Sequence, residues 1–206
     1  MSEANEFEKE DPTPYPRLEE LARMLGEIKR ECREIPLKTE VEDTDTTFEN
    51  GRVFYLTQKK TFTGVSGNID GSLMPEWESP QERYDRISEY FSEKISEFNV
   101  RFVIIEGYAM GSKNGLVFNI AEAGGTLKYK LYKDSIPFGV VAPTQVKKFA
   151  TGKGNSKKDA MYESFLAQTG VDLEKILSGK RHLNPISDIV DAYYVNLLGI
   201  KTFTVS

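Results

Sequence analysis

The sequence predicts an α/β fold, and three observations carry that expectation. An amphipathic stretch from Pro80 to Phe98 leads straight into the continuous apolar run Val100 to Ile105, the order of a helix followed by a buried parallel strand. A second short apolar run, Phe138 to Ala142, is closed by Pro143. Helical patterns then recur at Lys157 to Gln168 and Ile186 to Leu198, and such alternation places helices over a sheet.

Composition narrows the function classes. The chain has 206 residues, 39% of them hydrophobic, enough for one domain of ordinary size with a core plus some decoration at an end. It has no run of eighteen apolar residues, and its first eleven residues are acidic and polar where a secretory signal would be basic and then apolar. A soluble protein of the cytoplasm, without a membrane partner, is the expectation. One cysteine, Cys32, and one histidine, His182, cannot build a zinc site of about four ligands. Most Ser/His or Cys/His nucleophilic schemes would have to run through His182, so carboxylates must carry any chemistry. The net charge of -5 argues mildly against nucleic acid. The charge is unevenly spread, however: residues 1–50 hold fifteen Asp/Glu against seven Lys/Arg, whereas Lys147 to Lys158 hold five Lys and no acid. A local basic patch can outweigh the average.

Taken in order, residues 1–14 are a Glu-rich tail with too little apolar surface to offset the cost of ordering. Leu18, Leu21, Leu25 and Ile28 recur at three to four residues, which predicts an accessory helix within 15–36. Residues 35–50 read as a strand and turn. Arg52 to Leu56 and Thr61 to Ile69 read as a hairpin around Thr57 to Lys60, with Gly64 and Gly67 marking a bulge. Tyr84, Ile87, Phe91, Ile95 and Phe98 share one face of the helix opened by Pro80. Leu116 to Ala123 reads as a further helix, broken by Gly124-Gly125. No internal repeat is present.

Three sets of residues could carry chemistry. Glu106 ends the run Val100 to Ile105, and in open α/β sheets ligands collect at the carboxyl ends of strands. An acid that merely ends a strand at the surface is the plainer alternative. Asp188 and Asp191 are three apart on a helix, so both face one side and could share Mg²⁺ or Mn²⁺. The alternative is a helix start in which Ser187 caps and Asp188 complements the macrodipole. Asp191, beside Ile189, Val190, Ala192 and Tyr193 with no evident cationic partner, fits that alternative less well, because an unpaired carboxylate among apolar groups is costly. Finally, Lys147, Lys148, Lys153, Lys157 and Lys158 lie among flexible, small residues between an apolar strand and a helix, suited to a phosphate backbone. Gly152-Lys153-Gly154 lacks the pattern of a P-loop.

Three separated stretches, Val103 to Gly107 (VIIEG), Pro143 to Lys158 (PTQVKKFATGKGNSKK) and Asp188 to Tyr193 (DIVDAY), agree with one family. Together they resemble RuvC-like Holliday junction resolvases of the phage type, over roughly residues 50–200; the middle stretch is the most specific. The resemblance implies an RNase H-like fold over residues 37–206, a mixed sheet flanked by helices, with the N-terminal helix as an extension. It implies four acids holding two divalent ions, Mg²⁺ or Mn²⁺, with one activating water and the other stabilising the leaving 3' oxygen. Glu106 matches the acid after the family's central strand, and Asp188 and Asp191 match its C-terminal helix. Lys147 and Lys158 match basic residues near the DNA. The first acid departs from the pattern: Asp43 is chosen for the polar turn that precedes Gly51, with Asp45 and Asp70 as alternatives. The implied activity is metal-dependent cutting of branched DNA, four-way junctions or flaps, by a homodimer. A degenerate junction-binding protein and another RNase H-like nuclease, acting as an exonuclease or on hybrids, are the competing readings.

Overall fold

Helix start and stop signals, tight turns and close glycine contacts account for most of the architecture in a computed structural model that describes residues 47–108 and 116–203. The acidic tail, the helix predicted within 15–36, and Asp43 and Asp45 lie outside the described residues. All described residues fall within one compact unit.

The strands are β1 (Val53–Thr57), β2 (Gly64–Ser66), β3 (Ile69–Leu73), β4 (Val103–Glu106) and β5 (Phe138–Val141). They form two ladders, β1-β3-β2 and β4-β5. The expected hairpin between 52–56 and 61–69 does not form. Gly67, with φ of 61°, and Asn68 make a two-residue turn inside the second run, so β2 pairs antiparallel with β3, and β1 pairs parallel with β3. Gly71 allows this arrangement, since a Cβ there would collide with the Tyr55 ring and the Phe62 carbonyl. The Tyr55 hydroxyl donates to that carbonyl at 2.6 Å.

The helices are α1 (Pro80–Glu97), α2 (Leu116–Lys133), α3 (Pro143–Thr151), α4 (Lys158–Thr169), α5 (Leu173–Leu177) and α6 (Ile186–Phe203). Helix α1 starts as its sequence dictates: Pro80 occupies the first turn and Ser79 Oγ accepts from the Glu82 amide at 3.2 Å. Gly124 and Gly125 do not break α2. Leu131 is buried and the Tyr108 hydroxyl donates to the Ala121 carbonyl at 3.2 Å, so tertiary contacts offset a glycine penalty of about 1 kcal/mol each. Helix α3, unforeseen from the sequence, is opened by Pro143, buries Val146, and ends at Gly152 in the left-handed region with φ of 79°. No helix among the described residues is long and apolar enough to cross a membrane.

The core joins α4, α5 and α6. Tyr162, Phe165, Leu173, Ile186, Val190 and Tyr194 are buried together, and Phe165 meets Phe48 and Tyr193 edge-on at 5.1 and 5.2 Å. Helix α6 lies against both strands of the parallel ladder. A Cβ on Gly199 would run into three atoms of the Ile104 side chain, and one on Gly139 into the Phe203 ring. Gly199→Ala should therefore lower stability by about 1–2 kcal/mol in urea unfolding, overpacking outweighing the gain in helix propensity. Adding Ile104→Ala should recover part of the specific clash; an unchanged midpoint for the single variant would contradict this close approach.

Candidate active site

A cleft of about 530 Å³ opens among α1, α2, α6 and β4, with Phe91, Ile95, Leu127 and Val195 contributing apolar walls. Three acids line it: Glu106 from the end of β4, and Asp188 and Asp191 from α6. Strand β4 delivers Glu106 outward because its pairing with β5 ends there, the next amide, of Gly107, donating to Val141 at 2.7 Å. Asp188 sits in the first turn of α6 and Asp191 one turn on, so the helix repeat turns both toward the cleft. Asp188 thus combines the position of a macrodipole partner with a place in the cleft wall.

Electrostatics tie the three together. Glu106 and Asp188 are exposed and Asp191 is half-buried, yet the surrounding protein still disfavours their charges. Desolvation raises the Glu106 carboxyl above its ordinary range, and the charges of Asp191 and Asp188 raise it further while Lys147 opposes them. Asp188 is raised by desolvation against the pull of Lys158 and a hydrogen bond from Ser187. Asp191 is raised by desolvation and by Asp188, against Lys158 and Lys147. Asp191 therefore has cationic neighbours, contrary to the expectation from sequence; they come from α3 and the first residue of α4, more than thirty positions away in the chain.

Of the five predicted lysines, Lys147 and Lys158 act on the acids, while Lys148, Lys153 and Lys157 are exposed away from these interactions. Lys158 Nζ donates to Ser187 Oγ at 2.8 Å, and Ser187 Oγ in turn contacts Asn184 Oδ1 at 2.8 Å and Asp188 Oδ1 at 3.3 Å. Ser187 and Asn184 are additions to the site; the sequence suggested only a capping role for Ser187. The segment expected to be flexible is instead knotted. Thr151 Oγ1 donates to the Lys147 carbonyl at 2.8 Å, shares a 2.6 Å bond with Ser156 Oγ, and accepts from the Lys153 amide at 3.3 Å.

Asp70 stands apart from this group. It lies on β3 between Phe54 and Val65, and its charge acts on Tyr55 and Lys94. Among the described residues, no three Asp, Glu, His or Cys side chains stand close enough together to hold a metal ion. The oxygen donors of the cleft are nevertheless the hard type that suits Mg²⁺ or Mn²⁺, and their mutual repulsion is what a divalent cation relieves.

A carboxyl raised in the folded state binds its proton more tightly there than in the unfolded chain. Its contribution to stability is present below the unfolded value, roughly 4, and is lost as pH climbs through the raised value. Glu106→Gln and Asp191→Asn should each raise the thermal midpoint by a few degrees at pH 7, with the advantage fading toward pH 4. Variants less stable than the parent at neutral pH would disprove mutual repulsion in the cleft.

Comparison with known proteins places this geometry in a family. The family model described as crossover junction endodeoxyribonuclease RuvC matches residues 70–198. Two solved structures are similar: Thermus thermophilus RuvC, 21% identical with a TM-score of 0.45, covering 62% of this chain and 73% of that one; and T. thermophilus RuvC in complex with Holliday junction substrate, 21% identical with a TM-score of 0.43, covering 58% and 69%. No curated protein matches the chain. The family span is more than half of the chain and takes in the whole lining of the cleft, and on that ground the protein belongs to the RuvC family of crossover junction endodeoxyribonucleases.

Proposed function

We propose that this chain is a metal-dependent, structure-selective endonuclease that cuts four-way junctions and other branched DNA, working as a homodimer. The observation that carries the reading is the coupling of Glu106, Asp188 and Asp191 in one cleft beside Lys147 and Lys158, within a chain of this family. Glu106, Asp188 and Asp191 would hold Mg²⁺ or Mn²⁺, with Asp43 the proposed fourth ligand. Bound there, the ions would supply Lewis acidity and a more acidic water at the scissile phosphate.

The rest falls to the chain's own side chains. Lys147 and Lys158 offset the charge of the acids and offer positive potential to a phosphate entering the cleft. Ser187 holds the Lys158 ammonium at 2.8 Å, which fixes that charge beside Asp188 and Asp191. Lys148, Lys153 and Lys157, exposed on and after α3, would grip the backbone further from the cut. Such contacts position DNA without reading its sequence. Selectivity would then rest on the shape of the junction.

A second reading has its own support. The described acids are not grouped closely enough to hold a metal, which suits a protein that binds junctions without cutting them.

A labelled four-way junction incubated with Mg²⁺, Mn²⁺ or chelator separates the two. The endonuclease reading expects symmetric nicks that vanish with chelator and fall more than about 10²-fold in Glu106→Gln and Asp191→Asn, beyond the loss typical of outer-shell changes. Tight binding with no cleavage in either metal would establish the binding-only reading instead.

For the basic segment, Lys148→Ala and Lys153→Ala should weaken junction binding and each lower the slope of log affinity against log salt by about one. Cleavage at saturating protein should stay near that of the parent. An unchanged slope would remove these lysines from the interface.

A further inference from the structure

The turn that leads into α6 holds an apolar side chain in the open. Leu183 is 48% exposed, although the backbone that carries it is fixed on both sides. Its amide donates to the Lys180 carbonyl at 2.9 Å, and its carbonyl accepts from the Ser187 amide at 3.0 Å. After it, Pro185 and Ile186 are buried. Before it, Arg181 is clamped: its amide, Nε and one terminal nitrogen donate to the Glu174 carboxylate at 2.9, 2.9 and 2.6 Å, the other terminal nitrogen donates to Glu163, and the guanidinium lies 4.6 Å over the Tyr162 ring. A single apolar side chain on a surface is ordinary. One carried on a turn secured this heavily is held outward by its own backbone.

The surroundings of the tip point to its partner. The stretch from Ser178 to Ser187 contains Lys180, Arg181 and His182 and no acid, and Lys180, His182 and Asn184 are exposed. Asn184 Oδ1 accepts from Ser187 Oγ at 2.8 Å, the same hydroxyl that takes the Lys158 ammonium and contacts Asp188. Leu183 is therefore one residue away from the hydrogen-bonded row that ends on Asp188. A DNA strand with a phosphate at Glu106, Asp188 and Asp191 would bring its neighbouring nucleotides against this turn.

We propose that Leu183 is a wedge that enters the branch point and packs on a base that has lost its stacking neighbour, while Lys180, His182 and Asn184 contact the flanking phosphates. This inference rests on the action on branched DNA proposed above and names the residue that tells a branch from a continuous duplex. Leucine is among the side chains that proteins insert between base steps, and separating a stacked, paired step is unfavourable. At a crossover the stack is already interrupted, so insertion there meets less resistance than in linear DNA. The difference favours the branch with no contact that reads a base edge. A turn fixed during folding suits the role, because no order has to be imposed on it when DNA arrives.

A four-way junction carrying at its crossover a fluorescent adenine analogue that is quenched while stacked should brighten when the full chain binds in chelator; a linear duplex with the same probe should stay dark. Leu183→Ala should remove most of that signal without moving the thermal midpoint. With Mg²⁺ it should cut the matched junction at least about tenfold more slowly, as expected when help in opening one step is lost. Leu183→Phe should preserve both signal and rate. A mismatch at the crossover pair should bring Leu183→Ala back to within about twofold of the parent, since that step is already open, a rescue that a merely structural role would not produce. A parent that fails to bind or to brighten the junction, a signal unchanged in Leu183→Ala, or an equal defect on matched and mismatched junctions would overturn the proposal. A parent that brightens the probe and cuts nothing with either metal would refute the endonuclease reading and leave the wedge standing; cutting without brightening would do the reverse.

Discussion

The cleft depends on the close approach of α6 to β4. Gly199 lies directly against the Ile104 side chain, and Gly139 gives room to Phe203 further along the same helix. Those contacts set the height and rotation of α6 over the parallel ladder. Asp188 and Asp191, a few turns earlier, are thereby brought to the end of the strand that carries Glu106. A larger residue at position 199 would tilt the helix and separate the acids without touching any of them.

The same packing explains why the acids are costly. All three are raised chiefly by desolvation, Glu106 and Asp191 further by neighbouring acids, and the nearby lysines reduce that penalty without removing it. Stability is therefore sacrificed locally, a frequent property of sites arranged for a charged ligand. The apolar mass that sustains the arrangement sits behind it, where Tyr162, Phe165, Ile186, Val190 and Tyr194 fix α4 to α6.

Much of the α/β fold could be read from the sequence because periodicity and turn residues speak locally. Pro80 and the apolar face of Tyr84, Phe91 and Ile95 gave α1 almost to the residue. The approach of Glu106 to Asp188 and Asp191 was legible only through family resemblance, since it joins segments eighty residues apart. Other features were missed for identifiable reasons. Pro143 both closes a strand and opens a helix, and reading only the first role hid α3, although Gly152 supplied the stop signal. Gly124-Gly125 resembled a break because the balancing contact comes from Tyr108, outside the helix. The pairing of β1 with β3 instead of β2 turned on Gly67-Asn68, a two-residue turn inside what looked like one strand. The cations near Asp191 were invisible along the chain because they arrive from α3 and α4.

The knot around Thr151 has a consequence for how tightly anything could be held there. Its hydroxyl joins the last turn of α3 to Lys153 and Ser156, while Gly154 packs against the Thr144 carbonyl. A loop of small and basic residues would ordinarily surrender conformational freedom on meeting a ligand, and that loss would be subtracted from the affinity. Here the ordering has been completed during folding. A ligand of the basic turn would meet it already in shape, and affinity gained this way would show itself as slow release.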